Sequence, residues 1–146
     1  MDLSELYKEV ILDHNKRPRN RGRLGSSNRH AEGYNPLCGD VVALTVQTDG
    51  DRVTDIAFEG EGCAISTASA SMMTEAVKGR TVDEAEALFR AFQKMVTSGD
   101  DGQDLGDEIQ ALAGVRDHPV RIKCATLAWH ALHAALQGQE AKVTTE

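Results

Sequence analysis

Four side chains in this sequence carry the means for metal and sulfur chemistry: Cys38, Asp40, Cys63 and Cys124. Three thiols cannot all pair within one chain, and thiols that stay reduced serve as metal ligands or nucleophiles. Cys38-Gly39-Asp40 sets a thiol and a carboxylate two positions apart, so in an extended segment they share a face. Gly39 lets the backbone turn close to a bound ion. Cys63 follows Gly60-Glu61-Gly62, and Cys124 lies about one turn beyond Pro119, so both fall near helix starts. Helix N-termini offer free N–H groups and partial positive charge, which favour the thiolate that binds metal and attacks sulfur. All three thiols are thus expected at the ends of elements, with none buried mid-helix. Three thiolates and one carboxylate suit tetrahedral zinc with Zn–S of ~2.3 Å, and an iron–sulfur cluster also takes mostly thiolate ligands. Spacing alone leaves the choice open, because there is no C-x-x-C knuckle and a free cysteine is often a small buried hydrophobe.

The elements that must position these residues are legible from periodicity. Residues 3–14 place Leu3, Leu6, Tyr7, Val10 and Ile11 at helical spacing, and Pro18 ends the helix. Residues 16–25 read as an irregular basic loop. Val42, Leu44 and Val46, then Ile56 and Phe58, alternate as two strands, and Asp49-Gly50 between them marks a hairpin. A third strand is hinted at just before Cys63. Residues 63–78 form a helix stopped by Gly79, and Thr81 with Glu84 makes a capping-box pattern for the next. Residues 99–107 are acidic and Gly-rich, a mobile loop ahead of a short helix over 105–113. The last helix runs from Pro119 to Gln137-Gly138, and residues 139–146 form a polar, flexible tail. Strands first and helices afterwards indicate an α+β domain, a small antiparallel three-stranded sheet with helices packed on one face.

At 146 residues the chain builds one domain, 1–146, with one core. Aromatics are only 4% of the sequence, so Val, Leu, Ile, Ala and Met must fill that core. The net charge of −7 is uneven: residues 1–30 hold seven Lys/Arg against four Asp/Glu, and the rest hold nine against nineteen. So acidic a body repels nucleic acid phosphates, and no nucleic-acid role is expected. No apolar run approaches the ~18–20 residues that span a bilayer. The opening Met1-Asp2-Leu3-Ser4-Glu5 has no basic stretch ahead of an apolar one, so a secretory leader is not expected and the setting reads as cytoplasmic.

Three blocks carry a family resemblance: Tyr34-Asn35-Pro36-Leu37-Cys38-Gly39-Asp40, Gly60-Glu61-Gly62-Cys63-Ala64-Ile65-Ser66, and Arg121-Ile122-Lys123-Cys124-Ala125-Thr126-Leu127-Ala128-Trp129. With the opening from Tyr7 through Asp13-His14 to Pro18-Arg19-Asn20 and Gly22, they resemble the IscU/NifU/SufU family over nearly the whole chain, cysteines in register. Two departures point to the SufU-type branch. Lys123 stands where IscU-type scaffolds carry His, and residues 99–117 form an insertion. The Leu-Pro-Pro-Val-Lys motif of the scaffold branch is replaced by His118-Pro119-Val120-Arg121. The resemblance implies a SufE/NifU-like fold and a zinc site made by Cys38, Asp40, Cys63 and Cys124. It further implies that Cys38 accepts persulfide sulfur from a PLP-dependent, SufS-type cysteine desulfurase, for a downstream Suf cluster-assembly scaffold. In the family a His of the desulfurase replaces the acceptor Cys on zinc. The alternative the family offers is a scaffold that builds a [2Fe–2S] cluster on the same ligands.

Other residues have plainer readings. Lys123 and Arg121 adjoin Cys124 and are candidates to support the site, Arg121 by pairing with Asp40. His130 and His133, three apart, read as a packed or solvated helix face more readily than as ligands. The run Lys16, Arg17, Arg19, Arg21 and Arg23 lacks interleaved aromatics and reads as a partner-docking or solvated loop.

Overall fold

A computed structural model describes residues 3–98, 105, 107–138 and 142–144. The chain order is α1 (Leu3–Lys16), β1 (Arg29–Asn35), β2 (Asp40–Asp49), β3 (Arg52–Glu61), α2 (Ala64–Val77), α3 (Val82–Ser98), α4 (Asp107–Gln110), a 3₁₀ turn (Ala111–Asp117), α5 (Pro119–Leu136) and β4 (Lys142–Thr144). The sheet order is β3-β2-β1-β4, with β1, β2 and β3 antiparallel and β4 parallel to β1. The α+β expectation holds, with three antiparallel strands at its centre.

Two details differ from the sequence reading. The hint of a strand before Cys63 is the end of β3, which runs to Glu61; the third strand is β1, ahead of Cys38. The inward residues of β1 are Ala31, Gly33 and Asn35, so it shows no apolar stripe. Gly33 lets α5 pack closely, because a Cβ would stand 2.9 Å from Leu127 Cδ1 and push that side chain aside. The tail, expected to be flexible over 139–146, has three described residues, and these pair with Glu32, Gly33 and Tyr34.

The hairpin forms as its turn chemistry requires. Asp49 pairs with Arg52, and Gly50 takes φ +63°, a left-handed value that Gly adopts without penalty. Along β2 the inward set is Asp40, Val42, Leu44, Val46 and Thr48, the period of two that a half-covered sheet demands. The basic loop seals the other edge of the sheet: Phe58 N–H donates to Asn20 O at 3.0 Å, and Gly22 N–H donates to Phe58 O at 2.7 Å. Three of its arginines are engaged within the molecule. Arg19 pairs with Asp13 at 2.7 Å, Arg23 with Glu59 at 2.9 Å, and Arg21 donates to Gly60 O.

Helices α2 and α5 cover the inner face, and α1 packs on α2. Small residues on α2 allow close approach: Ser69 Oγ donates to Ala125 O at 2.6 Å and accepts from Trp129 Nε1 at 3.1 Å. Trp129 stacks on Phe92 with centroids 4.5 Å apart. The capping box at α3 is made in full, Glu84 N–H to Thr81 Oγ1 at 3.1 Å and Thr81 N–H to Glu84 Oε1 at 3.0 Å. Of residues 99–117, expected to be an insertion, the described ones include Leu105, Ile109, Leu112 and Val115, all buried. Among the described residues no helix is long and apolar enough to cross a membrane.

Candidate metal centre

Sheet register gathers the site at one end of the molecule. Asn35, the last residue of β1, faces Asp40, the first of β2, and Val41 faces Glu61, the last of β3. The chain leaving β3 enters α2 through Gly62 and Cys63, so Cys63 arrives beside Asp40. Helix α5 lies across β1 and β2 and brings Cys124 to the same end.

Donor atoms of Cys38, Asp40 and Cys124 all lie within 4.8 Å of one another. The Sγ atoms of Cys38 and Cys124 are 3.4 Å apart. Two thiolates on one tetrahedral zinc sit about 3.8 Å apart, so small adjustments would let them share an ion. Asp40 continues the buried face of β2 and is fully buried. A carboxylate there needs compensation, since an isolated buried charge is costly. It receives Asn35 Nδ2–H on Oδ2 at 3.0 Å and Cys63 N–H on Oδ1 at 2.9 Å.

Cys38 and Asp40 do not share an extended face as their spacing implied. Gly39 N–H donates to Asn35 O at 2.8 Å, closing a turn that carries Cys38, and Gly39 has φ +73°. The left-handed residue re-aims the chain, so the thiol still reaches the carboxylate. Cys63 caps α2 as its position foretold, its Sγ accepting from Ser66 N–H at 3.4 Å. It lies outside the three-donor cluster but lines the same cleft.

Cys124 corrects the expectation that no thiol is buried mid-helix. It is the sixth residue of α5 and is buried. Burial pushes its thiol above the ordinary range, and hydrogen bonding with Asp40, Cys38 and Cys63 adds to the shift. The N-terminal field of α5 is therefore outweighed, and this thiol favours its neutral form until a cation arrives. A buried thiol and a buried carboxylate beside a second sulfur form a donor set that a divalent cation completes. The residues present fit zinc.

A cleft of about 520 Å³ opens beside the cluster, lined by the three cysteines with Ile65, His118, Val120 and Arg121 among others. Arg121 thus faces the thiols, yet among the described residues it makes no ion pair with Asp40, which is met instead by Asn35, the Cys63 backbone N–H and the Cys124 thiol. Lys123 is not part of that lining. His130 and His133 pack rather than converge on the site: both meet the Phe89 ring, and His133 Nδ1 bonds Glu86 Oε2 at 2.7 Å.

Sequence reasoning assigned no role to Asn35 or Gly62. A Cβ on Gly62 would stand 2.7 Å from Asp40 Oδ1, so a side chain there would crowd the carboxylate. Neither residue carries a chemical signature of its own; pairing of β1 with β2 reveals Asn35, and pairing of β2 with β3 brings Gly62 beside Asp40.

With this geometry in view, the relatives are informative. The chain is 50% identical to the zinc-dependent sulfurtransferase SufU of Bacillus subtilis, over 95% of each chain. It is 49% identical to the iron–sulfur cluster assembly scaffold protein IscU of Streptococcus pyogenes, over 92% of this chain and 85% of that one. Its structure is similar to a crystal structure from Fervidobacterium islandicum, assigned as a cluster assembly scaffold of the SUF system. The TM-score is 0.84 at 35% identity, covering 90% of this chain and 97% of that one. Residues 6–146 match the NifU-like N-terminal domain, and the chain belongs to that family of IscU, NifU and SufU proteins.

Proposed function

We propose that this protein is a zinc-dependent sulfurtransferase of iron–sulfur cluster assembly, taking persulfide sulfur from a PLP-dependent cysteine desulfurase in the cytoplasm and delivering it toward a downstream assembly scaffold. The similarity to the Bacillus subtilis sulfurtransferase supports the activity. The observation that carries the reading is the contrast within the cluster: Cys38 is exposed, while Asp40 and Cys124 are buried. A donor's persulfide can reach one member of the three-donor set from solvent while the others stay in place.

Cys38, Asp40 and Cys124 would hold zinc, and a turn of the Cys63 side chain away from Ser66 would supply the fourth ligand. Bound zinc keeps thiols deprotonated near neutral pH without redox chemistry of its own. The exposed Cys38, as its thiolate, would attack the terminal sulfur of the donor persulfide. A new S–S bond forms at Cys38, the donor's S–S bond breaks, and the donor thiolate leaves. Asp40 anchors the floor of the site through Asn35 and Cys63, and Arg121 lends positive charge to the cleft where the anionic sulfur travels.

The scaffold reading has the Streptococcus pyogenes relative in its favour. Elemental analysis of protein purified without added metal separates the two. About one zinc per chain and no iron supports the sulfurtransferase; a stable cluster that passes to a client protein supports the scaffold. Mixed with a cognate desulfurase, the wild-type protein raises cysteine turnover and acquires a persulfide, and Cys38→Ala does neither. Stimulation that survives in Cys38→Ala rules out the acceptor assignment.

A further inference from the structure

We propose that Asn35 is a positioning residue of the metal centre, its side-chain amide holding Asp40 and Cys124 in the geometry that a cation requires. The inference rests on the ligand reading above. Asn35 is fully buried at the end of β1. Its Nδ2 donates to Asp40 Oδ2 at 3.0 Å and to Cys124 Sγ at 3.5 Å, residues 5 and 89 positions away.

The amide orientation is fixed by a third contact. Oδ1 accepts the Leu37 backbone N–H at 3.3 Å, so the NH₂ group is the one directed at the carboxylate and the thiol. An amide NH₂ only donates. Both neighbours therefore turn a lone pair toward the same amide, which holds the carboxylate and the sulfur side by side. The backbone carbonyl of the same residue accepts from Gly39 N–H and closes the turn that delivers Cys38. One residue thus acts on three of the four proposed ligands: on Cys38 through its main chain, and on Asp40 and Cys124 through its side chain.

The test uses the purified full chain, wild type against Asn35→Asp and Asn35→Ala. Asn35→Asp preserves size and the acceptor for Leu37 but has no N–H to offer; Asn35→Ala removes the group without adding charge. Zinc affinity is read by competition with a chromophoric chelator, and cobalt(II) substitution gives absorption bands that report ligand number and geometry. Melting of the metal-free proteins shows whether each variant folds, and either folded variant suffices. The expected result is a roughly 10–100-fold weaker zinc affinity with altered cobalt bands. Wild-type protein that binds zinc, with folded variants within about threefold of it and unchanged cobalt bands, overturns the inference. Wild-type protein that binds neither metal overturns the ligand reading first, and this inference falls with it.

Discussion

The backbone N–H of Cys63 donates to Oδ1 of Asp40 at 2.9 Å, so the N-terminus of α2 is fastened to the first residue of β2. This bond joins two of the candidate ligands through main chain on one side and side chain on the other. It makes the position of each depend on the other, and its acceptor Oδ1 would lie 2.7 Å from a Cβ placed on Gly62.

Gly62→Ala tests that dependence. The added methyl meets Asp40 Oδ1 at 2.7 Å and both the Asp40 and Ser66 Cβ atoms at 3.2 Å, so the carboxylate or the start of α2 must move. A stability loss of about 1–3 kcal/mol is expected in urea melts, with weaker zinc binding. Gly25→Ala, where a Cβ meets nothing within 4 Å, is the control. Equal behaviour of the two variants would mean that the space around Asp40 is not tight.

Removing the metal should expose a redox partnership. With Cys38 and Cys124 sulfurs 3.4 Å apart, hydrogen peroxide is expected to couple them in chelator-treated protein, the two thiols losing two hydrogens while peroxide is reduced to water. Intact mass and peptide mapping read the link. Zinc-loaded protein should resist under the same conditions. A map without a Cys38–Cys124 link would overturn the expectation.

Acid sensitivity should arise partly outside the metal centre. Burial, with His133 close by, lowers the His130 pKa from its ordinary value of 6.5. The unfolded chain then binds the proton more readily than the folded one, so stability is full above about pH 6.5 and falls as pH drops toward the folded value. In metal-free protein, His130→Gln should flatten this part of the curve. Urea midpoints between neutral and mildly acidic pH provide the measurement, and an unchanged slope would remove His130 as the cause.

The sequence by itself determined most of the local elements. Helix and strand periods, the Gly50 turn, the Thr81–Glu84 cap and the Cys63 cap all follow from short-range sterics and hydrogen bonding, which a few neighbouring residues settle. Resemblance supplied the grouping of Cys38, Asp40, Cys63 and Cys124. Tertiary structure alone decided what those residues experience. Strand β1 was hidden because its inward residues are Ala31, Gly33 and Asn35, whose small or polar side chains suit a close-packed α5 and leave no apolar period. Burial of Asp40, the raised thiol of Cys124 and the double donation by Asn35 depend on elements distant in the chain meeting at one end of a sheet. Desolvation and hydrogen bonding act through space, so no local pattern could announce them.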